Sequence, residues 1–224
     1  MSRITVKQPR LLVTAGPTRE MLDPVRFLSN LSTGEMGYHI AREAQKKGFQ
    51  VTLISGPVAI TSPRRIKLIP VVSAGEMEKA VKLHFPKCDA LVMTAAVCDY
   101  TPVHRSPQKI KRIYQKRVLF KRTRDILKSI SLRKGNRCVI GFCLETENLE
   151  QNAIRKLRDK KLDLMVANLY GKSRVPFGRN KAKVLLIDRT FKKEWLPKMD
   201  KRKIARHLIS WVERHSSCPK AAHR

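Results

Sequence analysis

Apolar runs of strand length alternate with segments of helical period along most of the chain, which restricts the fold to a parallel sheet covered by helices. Residues 11–15 (LLVTA) read as a strand, and residues 35–47 put Met36, Ile40 and Ala44 on one helical face before stopping at Gly48. Residues 51–55 give a second strand, 74–83 a helix, 90–96 a buried strand and 125–132 a helix. Residues 137–142 (strand), 149–160 (helix) and 162–168 (strand) continue the rhythm. Two segments break it. Between 100 and 122 helical periodicity is lost, Pro102 and Pro107 enter, and a basic cluster precedes Val118, Leu119 and Phe120, which predicts an extended arm or hairpin. After Tyr170, a loop with Pro176 and Gly178 leads to Val184–Ile187 and then Phe191 and Trp195, which suits a short antiparallel addition at the sheet edge. The last helix carries Ile204, Leu208, Trp211 and Val212 on one stripe. The expectation is one α/β domain over 1–224: a doubly wound, mostly parallel, Rossmann-like sheet with an arm at 100–122.

A length of 224 residues suffices for a full core. The five cysteines are odd in number and scattered, without a Cys-x-x-Cys pair, so we expect a reducing compartment and no structural zinc. The first ten residues lack a signal-peptide core, and the longest apolar run, 90–98, is too short to span a bilayer. A cytoplasmic protein without membrane association is expected. The formal charge of +30 favours polyanions. That charge is spread along the chain with little aromatic interleaving, so solvated basic faces are preferred over a dedicated nucleic-acid surface, and some cations are left to serve the phosphates of a small ligand.

Open parallel sheets bind ligands beyond the carboxyl ends of their strands. Those positions hold Gly16-Pro17-Thr18-Arg19-Glu20 and Asp23-Pro24-Val25-Arg26 after the first strand, and Ala95, Ala96 and Asp99 after the third. Gly141, Phe142 and Glu145–Asn148 follow, then Ala167 and Asn168. In SNLSTGEMG (29–37), Ser32 or Thr33 can be an ordinary N-cap, and Gly34 and Gly37 can serve close helix–strand packing; the same helix start offers bare amides to an anion. Asp99 suits a loop cap, a metal ligand or a sugar-hydroxyl ligand. Lys156 and Lys160 lie one helical turn apart and share a face.

The ordered set TAGPTRE, DPVRFLSNLSTGEMG, TAAVCDY, QKIKR, TRDIL, GFCLETEN and LDLMVAN closely resembles phosphopantothenate–cysteine ligase of bacterial type, from about Leu11 to the last helix. Many bacterial members form the carboxyl half of a protein whose flavin-dependent half decarboxylates the product. Since no such half precedes Leu11, a stand-alone ligase is expected, with a separate decarboxylase as functional partner. The resemblance implies coupling of 4′-phosphopantothenate and L-cysteine in coenzyme A formation with CTP and Mg²⁺. An acyl-cytidylate forms with release of pyrophosphate, then the cysteine amine displaces CMP.

The resemblance also assigns residues. Asn30 would hydrogen-bond the acyl-phosphate, and Lys109 would neutralise the departing pyrophosphate. Ala95, Ala96, Asp99, Lys109, Thr123, Arg124, Asp125, Ile126, Phe142, Lys156 and Lys160 would contact the nucleotide, with Asp99 on the divalent metal. Arg26, Asn30, Gly34 and Gly37 would serve the substrate, with a second role open to Arg26 in ordering a dimer-side loop. The arm is expected to pair two copies into a homodimer.

Departures from the family pattern are Glu35 where Lys is common in SGKMG, Arg124 for Pro in TPDIL, Leu169 for the usual Asp, and Arg179-Asn180-Lys181-Ala182 after Phe177-Gly178. Arg124 bears on base preference, so a version of the ligase that uses ATP stays open. A dinucleotide oxidoreductase would share the fold, but TAGPTRE is not Gly-x-Gly-x-x-Gly, and Pro17 removes a phosphate-binding amide. The basic charge also admits a nucleic-acid-binding protein, and the fold admits a catalytically silent relative. Silence would be expected to cost the chain its reactive side chains, whereas Asn30 and Lys109 are both present.

Overall fold

The computed structural model describes residues 8–112, 117–171 and 181–215. In chain order these form β1 (Arg10–Ala15), β2 (Arg19–Met21), β3 (Phe27–Ser29), α1 (Glu35–Lys46), β4 (Gln50–Ser55), β5 (Lys67–Pro70) and α2 (Ala74–His84). After the short 3-10 turn Phe85–Lys87 come β6 (Ala90–Met93), β7 (Tyr100–Pro102), β8 (Phe120–Arg122), α3 (Ile126–Ser131) and β9 (Cys138–Glu145). The chain continues with α4 (Leu149–Asp159), β10 (Leu164–Leu169), β11 (Ala182–Asp188), β12 (Lys193–Met199) and α5 (Lys201–His215).

Eight strands form one sheet in the order β12-β11-β10-β9-β6-β1-β4-β5. From β5 to β10 neighbours pair parallel, whereas β11 and β12 are added antiparallel. The sheet is covered on both faces, as the alternation in the sequence requires. Leu11, Val13 and Ala15 of β1 point to one side, into a cluster with Tyr38, Ile40 and Ala44 of α1 and Ile204, Leu208 and Val212 of α5. Leu12 points to the other, towards Met77 and Val81 of α2, Ile126 and Ile130 of α3, and Leu157 of α4. The chain adds β4 and β5 to one side of β1 and β6, β9 and β10 to the other, so the order reverses between β1 and β6. A crevice opens at such a reversal.

Several boundaries differ from expectation. β6 stops at Met93 because Thr94 turns out of the strand: its N–H and hydroxyl both donate to the Thr14 carbonyl, at 3.3 and 2.7 Å. β9 runs on to Glu145, paired with Leu169 of β10. β5 and the β2–β3 hairpin are absent from the expectation above. The first is an exposed edge strand without apolar alternation, and the second has three residues per strand. Both sheet edges carry proline: Pro70 closes β5, and Pro197 lies in β12 beside Lys193 and Lys198.

The arm begins and ends as a hairpin, with Tyr100 opposite Arg122 and Pro102 opposite Phe120. Residues 113–116 of the arm, the Pro176 and Gly178 loop, and the departures at Arg179 and Asn180 lie outside the described residues.

Neither Ser32 nor Thr33 caps α1. The cap position is Gly34, at φ +80°, with no side-chain cap; Ser32 Oγ instead accepts from Gly34 N–H at 3.3 Å. Gly34 is required by that left-handed backbone. Gly37 answers to packing: a Cβ there would lie 2.5 Å from Ala15 Cβ and 2.6 Å from Thr94 Oγ1. Gly37→Ala is expected to force α1 off β1 and lower stability by about 1–3 kcal/mol in denaturant unfolding. An unchanged midpoint would show that α1 shifts without cost.

Candidate active site

Two adjoining cavities open at the carboxyl ends of the strands, one of about 560 Å³ and one of about 200 Å³. They share a wall made by Ala95, Ala96, Phe142, Cys143 and Leu144, from the loop after β6 and the extended end of β9. The larger cavity collects ten of the residues assigned to a nucleotide: Ala95, Ala96, Asp99, Thr123, Arg124, Asp125, Ile126, Phe142, Lys156 and Lys160. Segments separated by tens of residues meet there because β6 and β9 are neighbours in the main sheet, while residues of β8, α3 and α4 complete the lining. Thr123 is held by its Oγ1 donating to Cys98 O at 2.6 Å and by its N–H donating to Asp99 O at 2.9 Å. Asp125 caps α3 by accepting from Lys128 N–H at 2.9 Å.

Most cations of the larger cavity already face a carboxylate. Lys156 Nζ lies 2.6 Å from Glu145 Oε1, Lys160 Nζ 2.9 Å from Asp125 Oδ2, and Arg124 Nη1 3.6 Å from Glu78 Oε1. An entering anion therefore competes for preplaced ammonium groups instead of ordering free ones. Arg122, which the sequence reading did not single out, lines the same cavity without an ion-pair partner among the described residues. Burial pushes the Cys143 thiol up to about 12, so the cysteine in the shared wall is protonated at neutral pH and is no nucleophile.

Gly34 and Gly37 line the smaller cavity, together with Ser32, Thr94, Asn168 and two residues the sequence reading had not paired, Glu35 and Lys201. Asn30 and Arg26 line neither cavity. Asn30 follows β3, and its Nδ2 donates at 3.0 Å to the carbonyl of Ala96, on the rim common to both. The loop is fastened by Ser29 Oγ donating to Thr18 O at 2.8 Å, while the buried Thr18 hydroxyl accepts from Cys98 N–H at 2.9 Å.

Arg26 is turned to the arm. Its Nε lies 2.9 Å from Asp23 Oδ2, and its Nη2 donates to the Ile110 carbonyl at 2.6 Å. Asp23 Oδ2 in turn accepts the Ile110 N–H at 3.1 Å, and Oδ1 accepts from Val25 and Arg26 N–H at 2.8 Å each. Burial alone would raise the Asp23 carboxyl, but hydrogen bonds from Arg26, Ile110 and Val25 override it and hold the group well below the usual carboxylate range. One Asp–Arg pair thus grips both backbone groups of Ile110. Lys109, next to that grip, is exposed and outside both cavities.

Asp99 is an exposed carboxylate of the larger cavity, and the described residues contain no cluster of three or more His, Cys, Asp or Glu able to hold a metal by itself. A single carboxylate is consistent with Mg²⁺, which is commonly bound through one or two carboxylates together with substrate phosphates. No helix among the described residues is long and apolar enough to cross a membrane.

A mostly parallel, doubly wound sheet with adjoining cavities at its strand-order reversal defines a Rossmann-like α/β ligand-binding protein. The chain belongs to the family of the DNA/pantothenate metabolism flavoprotein C-terminal domain, whose model matches residues 6–215. It is 40% identical over 204 residues to the coenzyme A biosynthesis bifunctional protein CoaBC of Bacillus subtilis, covering 90% of this chain and 50% of that one. With the CoaBC protein of Escherichia coli K12 it shares 40% over 168 residues, 73% of this chain and 41% of that one. The chain spans about half the length of the curated relatives it matches, or less. Its fold superimposes on the crystal structure of the C-terminal domain of CoaBC with a TM-score of 0.79 at 36% identity, over 92% and 95% of the two chains. A Cab2 H337A variant in complex with phosphopantothenate-cysteine shares the fold at a TM-score of 0.73 and 17% identity, over 92% and 86%.

Proposed function

We propose that the chain is a phosphopantothenate–cysteine ligase of coenzyme A biosynthesis, joining 4′-phosphopantothenate to L-cysteine with CTP, in the cytoplasm. The observation that carries this reading is the convergence of the ten assigned residues on one cavity, with Asn30 bonded to its rim. A volume of about 560 Å³ falls in the range of small-molecule sites, about 300–1,000 Å³. The relative that carries phosphopantothenate-cysteine has the same fold.

A carboxylate is a poor electrophile and must first acquire a leaving group. The phosphopantothenate carboxylate attacks the α-phosphorus of CTP, the bond to the β-phosphate breaks, and pyrophosphate leaves. The cysteine amine then attacks the acyl carbon of the cytidylate, loses a proton, and CMP departs with its bonding electrons. Lys156, Lys160 and Arg122 supply positive charge along the phosphates, and Asn30 donates to the acyl-phosphate oxygen. Mg²⁺, with Asp99 as its protein ligand, would neutralise phosphate charge. Phe142, in the wall between the cavities, packs against the base. A flavin-dependent decarboxylase is the natural consumer of the product.

The test is turnover with phosphopantothenate, cysteine, Mg²⁺ and each triphosphate in turn, followed by pyrophosphate release. CTP is expected to exceed ATP by on the order of 10² or more in kcat/KM, because a site that pairs with the edge of one base leaves polar groups unpaired against another. Equal or greater turnover with ATP would overturn the choice of nucleotide. Arg124, 78% exposed on its side chain and only loosely paired to Glu78, is then the residue to examine.

The active form is a homodimer in this reading. Phe27, Leu28 and Leu31 are exposed on and just after the β2–β3 hairpin, and Tyr100, Val103, Leu119 and Phe120 are exposed on the arm, which meets that hairpin through β2 and β7. Such an apolar surface suits a second copy. Light scattering at micromolar concentration and moderate salt is expected to give twice the chain mass; a fully active monomer would exclude the dimer.

A further inference from the structure

A third cavity, of about 240 Å³, opens at the amino ends of the strands, the far end of the sheet from the candidate active site. Arg10, Gln50 and Lys67, the first residues of β1, β4 and β5, reach its lining, and His84 and Lys87 close it from the end of α2 and the turn that follows. Leu12, Thr52 and Lys67 are partners in the parallel register and so share one face of the sheet, the face that α2 covers. Alternation along β4 places Gln50, Thr52 and Ile54 on that face, which is core at Ile54 and turns polar towards the cavity. Four cations from four segments converge there, and Arg10 alone has an ion-pair partner among the described residues, Asp89 at 3.1 Å. The side chains of Gln50, Thr52, Lys67, His84 and Lys87 make no hydrogen bond or ion pair to another described residue. Burial, and then the charges of Lys67 and Lys87, hold the His84 imidazole below its usual pKa, and no carboxylate among the described residues offsets them.

The last turn of a helix ordinarily gathers cations against its negative end, and Lys82 and His84 meet that need at α2. The turn beyond it is served as well, since Arg137 Nη2 donates to the Pro86 carbonyl at 2.9 Å. Helix polarity does not explain why Arg10 and Lys67 are brought from two strands to the same hollow. We infer that this cavity is a second ligand site, in which Lys67, His84 and Lys87 receive a diphosphate anion. Two ammonium groups and an imidazole able to protonate call for more than one negative charge, and the Thr52 hydroxyl and Gln50 amide add donors for phosphate oxygens. The volume lies below the about 300–1,000 Å³ of small-molecule sites, which suits free pyrophosphate or the phosphate tail of a molecule whose remainder stays outside. The inference is independent of the ligase reading, because none of these residues lines either active-site cavity. A diphosphate seated there offsets the repulsion on His84, so the imidazole takes up a proton as the anion binds.

The experiment is a proton NMR titration of the His84 ring in the full chain, assigned with His84→Gln, as pyrophosphate is added at constant ionic strength. Pyrophosphate is expected to shift that resonance saturably and to raise the His84 pKa by about one unit, the size of one charge contact near a protein surface. Lys67→Gln combined with Lys87→Gln should weaken the affinity read at His84 about tenfold or more, whereas Lys156→Gln, at the other end of the sheet, should leave it within about threefold. Both lysines of the double variant are exposed, so it is expected to fold. In a second arm, CTP that shifts His84 as tightly assigns the site to the phosphate tail of a nucleotide, and a response to pyrophosphate alone assigns it to the free anion; either result supports the site. Citrate bound as tightly as pyrophosphate would overturn the choice of phosphate, and a single-stranded oligonucleotide bound more tightly than both would make this a nucleic-acid surface instead. A His84 resonance unmoved by pyrophosphate, or a double variant that responds like wild type, sinks the inference and leaves the ligase reading, tested by pyrophosphate release, where it stood.

Discussion

Asn30→Ala is expected to release pyrophosphate normally in a single turnover while forming the cysteine amide on the order of 10² to 10³ more slowly, the usual effect of losing one donor to a developing oxyanion. The expectation follows from where the side chain sits. Asn30 leaves β3 and reaches the Ala96 carbonyl with one Nδ2 hydrogen, at the rim where the two cavities join. The second Nδ2 hydrogen remains for a ligand there. In the proposed mechanism, activation of the carboxylate takes place at the α-phosphorus and would not need that donor, whereas the acyl-phosphate would. A rapid-quench experiment reporting pyrophosphate and amide in the same samples separates the steps. If Asn30 only tied its loop to Ala96, its loss would slow both steps alike or neither, and the assignment would be wrong.

Lys109→Gln should produce the opposite split: pyrophosphate release itself falls by about 10² or more, roughly 2.7 kcal/mol of transition-state stabilisation, and no acyl-cytidylate accumulates. Lys109 is exposed and outside both cavities, so under the proposed role its charge would have to be brought to the leaving group by the arm, of its own chain or of a second copy. Ile110 is held through its N–H by Asp23 and through its carbonyl by Arg26, which anchors the arm one residue from the lysine. Light scattering should show the same assembly for variant and wild type, separating a chemical effect from a loss of dimerisation. Pyrophosphate release within a few-fold of wild type would remove Lys109 from the first step.

The fold is legible in the sequence where periodicity reports burial on both faces. Every strand from β1 to β11 that is buried in the main sheet left an apolar run, and α1 and α5 left a stripe. It is not legible where local pattern carries no such signal. The three-residue strands β2 and β3 are too short to alternate, and β5 is exposed at the edge. The sequence carries the strand past the end of β6 because TAA reads as strand by composition, while the chain turns at Thr94, whose N–H and hydroxyl donate to Thr14 of another strand. The same distinction runs through the site. Strand-end positions and motif residues pointed to the ten residues of the larger cavity, whereas pairings across the chain were invisible: Glu35 with Lys201, Asp23 with the backbone of Ile110, Lys160 with Asp125. Glu35 stood out only as a misfit in its motif, and the residue that answers it lies in a helix whose stripe advertised nothing but packing.

The prolines on both sheet edges determine how copies of this chain can associate. An edge strand is normally a template for another strand, but Pro70 and Pro197 each lack an N–H for such pairing, and Lys193 and Lys198 add charge to the outer edge of β12. Growth by adding sheet to sheet is therefore blocked at either end. In the proposed dimer, association falls to the arm and the β2–β3 hairpin, a surface that a twofold axis would satisfy, and assembly through it would close at two subunits instead of extending from one sheet edge to the next.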